Sequence, residues 1–251
     1  MRPRACRAGL RESFAVIAFD VRHYDSIGST NDEAMRLARE GAVHGTVVHA
    51  DEQTAGRGRL SRRWLSPPGN LYLSIVLRPD VPAARSAEIG LVAALAVADA
   101  VDALLPQQVR ATLKWPNDVL VRDGKIAGIL LEQVDDTLIL GIGLNVLQAP
   151  SGVSYQVSTI VGCGGLATVD GAREKLLSAL ANWFGVWQQE GFPPIRTTWL
   201  ARAHPIGATL RVRLADRFAT GGFAGIDYDG ALLLDAADGR TRIVAGDVQA
   251  G

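Results

Sequence analysis

Val119-Leu120-Val121-Arg122-Asp123-Gly124-Lys125-Ile126-Ala127-Gly128-Ile129-Leu130-Leu131-Glu132 runs on through a turn into Thr137-Leu138-Ile139-Leu140-Gly141-Ile142-Gly143-Leu144-Asn145. Two apolar runs flank Arg122-Asp123-Gly124, and Asp-Gly between apolar runs is a strong hairpin signal. Asp135-Asp136 reverses the chain again. Three strands therefore follow one another with no helix between them, which requires at least part of the sheet to be antiparallel.

Upstream, Leu71, Leu73, Ile75 and Leu77 alternate along a further strand. Ser86 to Leu105 is an alanine-rich run that predicts a largely buried helix, and Val109 to Trp115 returns as a strand. Gly45 to Ala50 reads as a buried strand and Phe14 to Phe19 as the first one. Between them, Ser29-Thr30-Asn31-Asp32-Glu33 opens a helix, with Thr30 and Glu33 at capping-box spacing. Ala34, Leu37 and Ala38 form its apolar stripe, and Gly41 stops it.

Downstream, Ala149 to Leu166 is Gly- and Ser-rich and predicts a mobile loop around Gly162-Cys163-Gly164-Gly165. Asp170 is placed to cap a helix over Gly171 to Glu190, whose buried face holds Leu176, Leu177, Leu180, Trp183, Phe184 and Trp187. Gly191 and Pro193-Pro194 end it, and a short helix follows over Ile195 to Ala203. Beyond His204-Pro205-Ile206-Gly207 only short strands occur: Thr209 to Leu214, Phe218 to Tyr228, Ala231 to Asp235 and Arg240 to Val244. Such spacing fits a small SH3-like barrel. The expected organisation is an α+β protein with a mixed, largely antiparallel sheet flanked by helices. A tail spans residues 1–13, a first domain 14–204 and the SH3-like domain 205–251.

The 251 residues carry 26 Lys+Arg and 26 Asp+Glu, a net charge of zero. That argues against a polyanion-binding role, which leaves a basic imbalance. Cys6 and Cys163 stand far apart with no CxxC, which speaks against structural zinc and for a reducing compartment. His23, His44, His49 and His204 are scattered and read as packing or surface residues. The Arg-rich start, Met1 to Arg11, has no apolar core and is not a secretory signal. Leu91 to Leu105 falls short of a membrane span, so a protein independent of membranes is expected.

Four segments carry candidate chemistry. Asp51 to Trp64 contains Gly56-Arg57-Gly58-Arg59 and then Arg62-Arg63-Trp64, where forked cations suit carboxylate or phosphate. In Lys114-Trp115-Pro116-Asn117-Asp118, proline interrupts pairing and lets three polar groups turn to one point. Lys125 enters an apolar strand just after a tight turn. Gly141 and Gly143 leave one strand face bare, a slot for something flat or long. Each also has a plain structural reading: an exposed strand start, a bulge, a turn cap. Together, several cations, a carboxylate and a glycine-floored slot describe nucleotide chemistry, which needs positioning and charge neutralisation. No GxxxxGK[ST] is present, so this is not a P-loop protein.

Ser29-Thr30-Asn31, Gly56-Arg57-Gly58-Arg59 with Trp64, Lys114 to Asp118, Lys125-Ile126-Ala127-Gly128-Ile129-Leu130 and Gly141 to Asn145 occur in the order found in biotin protein ligases. Ala224-Gly225-Ile226-Asp227 and Gly230 to Leu234 resemble the C-terminal domain of that family. The resemblance runs from about Tyr24 onward. It implies a catalytic domain related to class II aminoacyl-tRNA synthetases, followed by an SH3-like domain. It also implies activation of biotin by ATP as biotinyl-5′-AMP, then transfer to a lysine of a biotin carboxyl carrier protein. Lys125, Arg57, Arg59 and Lys114 would act on the carboxylate and phosphates. Asp118 would either hold Mg²⁺ or orient and deprotonate the lysine, and the residue types do not separate these roles. Ser29, Thr30, Gln53, Gly56, Arg57, Arg59, Lys125, Gly128, Gly141 and Gly143 would bind biotin. Arg59, Trp64, Lys114, Asn117, Lys125 and Asn145 would bind ATP and the adenylate, with Gly162 to Gly165 closing as a second lid.

Many members of that family have glycine where Ser61 stands. Bifunctional members carry an N-terminal DNA-binding module, and the fewer than 30 residues before the Ser29 helix leave no room for one. A cytoplasmic ligase without repressor activity is therefore expected, with a homodimer among the oligomeric states such ligases adopt. The nearest rival is a lipoate- or octanoate-protein ligase of the same fold. A rival of another class is a non-catalytic nucleotide- or RNA-binding module using the arginine loop, against which the zero net charge speaks.

Overall fold

The computed structural model describes residues 17–79, 81–82 and 85–249. The expected tail, residues 1–13, lies outside them. The chain first builds β1 (Asp20–Ile27), α1 (Thr30–Arg39), β2 (Thr46–Gln53), β3 (Leu71–Leu77), α2 (Ser86–Asp102), β4 (Thr112–Lys114), β5 (Asp118–Val121), β6 (Gly124–Val134) and β7 (Thr137–Leu144). Its seven strands lie in the order β1-β2-β3-β7-β6-β5-β4. Only β1 and β2 run parallel; every other neighbouring pair is antiparallel. Asp123 and Arg122 adopt left-handed φ in the tight β5–β6 turn, which Asp tolerates well.

The two faces of this sheet are covered differently. On one, α2 and α3 (Val169–Glu190) stack in layers. Val92, Ala93, Leu95, Ala96 and Val97 of α2 are fully buried, because α2 is sandwiched between the sheet and α3 and has no wet side. On the other, α1 lays Ala34, Leu37 and Ala38 on Val48, Val76 and Ile139. That small cluster covers only part of the face. Beyond that cluster, Ser74 and Gly141 meet only the first turn of α1, through Thr30 and Asn31, and Gly141, Gly143 and Gly128 become the floor of a pocket.

After α4 (Phe192–Arg202), a second sheet forms from β8 (Thr209–Arg213), β9 (Phe218–Ile226), β10 (Leu232–Ala236), β11 (Gly239–Ile243) and β12 (Asp247–Val248), in the antiparallel order β11-β10-β9-β8-β12. The two-residue β12 is too short to leave a periodic signal.

Several expected boundaries move. Of the run Phe14 to Phe19, residues 14–16 lie outside the described residues, and residues 17–19 form no strand. The first strand is the polar Asp20–Ile27, an edge strand largely open to solvent, so no apolar alternation marks it. Ser29, not Thr30, caps α1, accepting from the Asp32 amide. Thr168, not Asp170, caps α3, accepting from the Gly171 amide, while Asp170 pairs with Arg173 at 2.8 Å. Pro193 and Pro194 open α4, where a missing N–H costs nothing, instead of closing α3. The strand expected over Val109 to Trp115 shrinks to Thr112–Lys114.

Two of the scattered histidines meet. His23 and His49 are partners across β1 and β2, and a ring nitrogen of each lies with an Asp51 oxygen inside a 4.8 Å circle. The Arg173 guanidinium sits 3.1 Å from His49 Nδ1. A guanidinium only donates, so Nδ1 accepts and the ring proton stays on Nε2. The trio therefore offers a metal ion one fewer lone pair than its residue types suggest.

His49 is 1% exposed. Burial, reinforced by Arg173, pushes its pKa down to about 4, and burial also lowers His44 and His204. These imidazoles are neutral in the fold and titrate near 6.5 once unfolded. Below that pH the unfolded chain takes up more protons, so stability is lost as pH falls from about 6.5 toward 4. Thermal melts should show the midpoint dropping between pH 7 and pH 5. His49→Gln should flatten that slope; an unchanged slope would contradict the assignment.

Candidate active site

The pocket beside α1 holds about 780 Å³ of non-protein space, part of it open to solvent. Its floor is made by subtraction. Gly128 and Gly143 are register partners across β6 and β7, and Gly141 lies two residues along on the same face. A Cβ on Gly143 would stand 2.5 Å from the Trp64 indole, and one on Gly128 2.9 Å from it. At Gly141 it would stand 2.1 Å from Asn31 Oδ1. These glycines are not bulges; regular pairing continues through them, and their bareness admits Trp64 and Asn31.

One wall is a buried polar relay from the N-terminus of α1. Gln53 Oε1 accepts from the Thr30 amide at 2.9 Å and from Thr30 Oγ1 at 3.0 Å, and Gln53 Nε2 donates to Ser66 Oγ at 2.9 Å. Ser74 Oγ lies 2.8 Å from Thr30 Oγ1 and 2.5 Å from Asn31 Oδ1. Asn31 Nδ2 donates to Glu132 Oε2 at 2.7 Å. Such a fully paired network fixes its members' orientations.

The arginine loop folds back on itself over this floor. Gly58 N–H donates to Arg62 O and Trp64 N–H to Gly56 O. Leu60 and Ser61 both take left-handed φ, near 56° and 57°. That conformation explains why glycine suits the position of Ser61. Gly56 is wedged, its Cβ position 2.6 Å from Trp64 O, so it shapes the loop and does not line the pocket. Arg57 is caged: its fork holds Glu132 at 2.9 and 3.0 Å and Asp32 at 2.6 Å. Arg62 reaches Asp247 of β12 at 3.1 Å, and Arg63 donates to Thr54 O. Arg59 points inward and donates to Asn117 Oδ1 at 3.2 Å; burial lowers its pKa without threatening its charge.

Opposite the loop, Asp118 is 8% exposed and holds two ammonium groups, Lys125 Nζ at 2.6 Å and Lys114 Nζ at 3.4 Å. Lys125 also lies 5.2 Å from the Trp64 ring centre and 5.7 Å from that of Tyr155, within cation–π range. Lys114 stands behind Asp118, outside the pocket lining. Asn145, 2% exposed, is also set back: its Nδ2 donates to Lys125 O and Ser158 O, and its Oδ1 has no partner. Ser29, Thr30, Gln53, Arg57, Arg59, Trp64, Asn117, Asp118, Lys125 and the three floor glycines all line one cavity.

The segment read as a mobile lid is tied down. Ser158, Ile160 and Val161 donate backbone bonds to Lys125, Asn145 and Val146. Gly165 is pressed against Leu104 O, where a Cβ would stand at 2.4 Å, and Gly162 to Gly165 lie outside the pocket lining. What this segment brings to the pocket is Tyr155. Sequence reading also missed Asn31, Glu132 and Asp247. The first two sit on the expected site face of their elements, two residues along β6 from Leu130 and one after Thr30; Asp247 leaves no local signal.

Residues 25–147 match the biotin/lipoate A/B protein ligase family, and residues 206–251 match the biotin protein ligase C-terminal domain. The biotin–[acetyl-CoA-carboxylase] ligase of Paracoccus denitrificans is 39% identical over 88% of this chain and 96% of its own. The chain belongs to the biotin protein ligase family. The enzyme of the same description from Mycobacterium tuberculosis is 38% identical over 99% of this chain and 96% of its own. The bifunctional ligase/repressor of Bacillus subtilis is 34% identical, and the match spans 73% of its length. Among solved structures, the Aquifex aeolicus ligase in complex with biotin and ATP superposes with a TM-score of 0.81 at 28% identity, over 92% of this chain and 97% of that one. Among the described residues, no helix is long and apolar enough to cross a membrane.

Gly143→Ala should push the Trp64 indole off the floor. We expect a loss of about 1–3 kcal/mol in stability from overpacking and a shift in the emission assigned to Trp64 by difference against Trp64→Phe. An unshifted spectrum would contradict the packing described here.

Proposed function

We propose that this pocket activates a biotin carboxylate with ATP and then acylates a lysine of a biotin carboxyl carrier domain. The observation that carries the reading is Lys125, held by Asp118 and facing Arg59 across a glycine floor walled by hydrogen-bonding groups. In the first step a biotin carboxylate oxygen bonds to the α-phosphorus of ATP, and the bond to pyrophosphate breaks. Two anions must meet. Lys125 and Arg59 offset their repulsion and the charge that grows on phosphorus. In the second step a carrier lysine amine bonds to the acyl carbon, loses its proton, and AMP leaves. The acceptor is the carrier domain of a biotin-dependent carboxylase, and the reaction runs in the cytoplasm.

The ureido ring of biotin is a flat, polar group, and the Ser29, Thr30 and Gln53 wall above Gly128, Gly141 and Gly143 supplies partners for it. Lipoate has no such ring. Asn145 Oδ1, buried and without a partner, is an acceptor for the adenine amino group. Trp64 and Asn117 flank the nucleotide, and Lys114 supports Asp118 from outside the pocket. Arg57, caged by two carboxylates, braces the loop through Glu132 and Asp32, which revises its expected direct role on the substrates.

Magnesium would offset the charge of the triphosphate. Both Asp118 oxygens face ammonium groups, so this carboxylate does not fit the ion, which the triphosphate would bring with it. For Asp118, expected either to hold Mg²⁺ or to orient and deprotonate the lysine, the reading favoured here is a third role, anchor for Lys125. The reading divides the chain into a catalytic unit, residues 14–204, and a C-terminal unit, residues 205–251.

Biotin-dependent exchange of pyrophosphate into ATP should occur, and neither lipoate nor octanoate should replace biotin. No exchange with biotin at any Mg²⁺ concentration would overturn the reading. Lys125→Ala should lower exchange about 10²–10³-fold in a chain that still folds, with a lower melting midpoint because Asp118 loses its 2.6 Å partner. Arg59→Ala should weaken biotin and adenylate binding in calorimetry; equal affinities would remove it from the site.

A further inference from the structure

We propose that Trp115 is a positioning residue through which the C-terminal sheet sets the geometry of the catalytic hairpin. Trp115 is buried, at 3% exposure, between Lys114 and the Asn117-Asp118 pair. Its Nε1–H leaves the first sheet and donates to Gly230 O at 3.0 Å, in the turn between β9 and β10. The indole thus reads the position of one backbone carbonyl in the other domain.

The turn that carries this carbonyl is itself held from both domains. Asp227 Oδ1 accepts from the Asp229 amide at 3.1 Å and the Ala231 amide at 3.0 Å. Arg242 of β11 bridges the Asp227 and Asp229 carboxylates. Buried as it partly is, Asp227 is nonetheless pushed down to about 2 by these hydrogen bonds, so it stays an acceptor at any working pH. From the first domain, Arg196 of α4 donates to Ile226 O at 2.8 Å and Asp227 O at 3.2 Å. Gly230 takes φ +87°, and a Cβ there would stand 2.7 Å from Leu91 Cδ1 of α2. The turn is therefore stiff, pressed onto α2, and aimed at Trp115.

A turn needed only for domain docking would require neither a buried indole N–H nor a place inside the Lys114 to Asp118 segment. Here the bond arrives one residue from Lys114 and three from Asp118. Asp118 in turn fixes Lys125 at 2.6 Å. Reacting groups displaced by about 1 Å can cost 10²-fold in rate.

The proposal rests on the ligase reading of the pocket. Trp115→Phe keeps the buried ring and removes the donor; Asp227→Ala loosens the turn from the other domain. In the full chain, both should raise amide hydrogen exchange over residues 112–121. Both should lower kcat for adenylate formation about tenfold, the effect of one lost buried hydrogen bond, with KM for biotin and ATP within twofold of the parent. The double variant should lose no more than the worse single one. Unchanged amide exchange over 112–121, kcat within twofold of the parent, or fully additive losses would overturn the proposal. A parent chain without biotin-dependent pyrophosphate exchange would refute the ligase reading instead, and the amide-exchange arm would still decide this one.

Discussion

One carboxylate between two ammonium groups organises the site. Asp118 is nearly buried, and Lys125 and Lys114 close on it from opposite sides. A single charge there would face a desolvation cost of several kcal/mol. Three together satisfy one another and leave one positive charge over, directed at the pocket. Lys125 is thus fixed in place before any substrate arrives, with little reorganisation left to do when an anion enters. The hairpin β4–β5 carries Lys114 and Asp118, and the turn into β6 delivers Lys125, so the charge triad follows from strand register.

Around this centre the fold divides its labour between faces. The α2 and α3 layers bury one side of the sheet and make it rigid. The other side is left half-covered by a short α1, and three glycines keep the uncovered half flat. Rigid backbone under a bare surface lets the indole of Trp64 lie close, which a mobile scaffold would not maintain. The arginine loop is likewise built with unequal parts. Arg57 and Arg62 hold it at two ends, to Glu132 with Asp32 and to Asp247, while Arg59 is turned inward.

The hairpins and the site's residue types were legible because they depend on local chemistry. Asp123-Gly124 can hardly be anything but a turn, and paired glycines on one strand face must leave a gap. Polar β1 was not legible, because an edge strand takes its conformation from β2 and not from its own pattern. Nor were the jobs of the arginines. Four look alike in the sequence, and only the fold decides which meet a carboxylate. The Gly162 to Gly165 turn misled for a similar reason: Gly165 answers to crowding by Leu104 O, Gly162 to Thr159 Oγ1 and Gly164 to its left-handed φ.

The central claim is that Asp118 serves the first step by holding Lys125. Rapid-quench single turnover with labelled ATP and biotin separates adenylate formation from transfer to the carrier. In Asp118→Asn the account predicts a slowed first step and transfer from preformed adenylate close to that of the parent. Normal adenylate formation with slowed transfer alone would contradict it and make Asp118 the base for the incoming lysine.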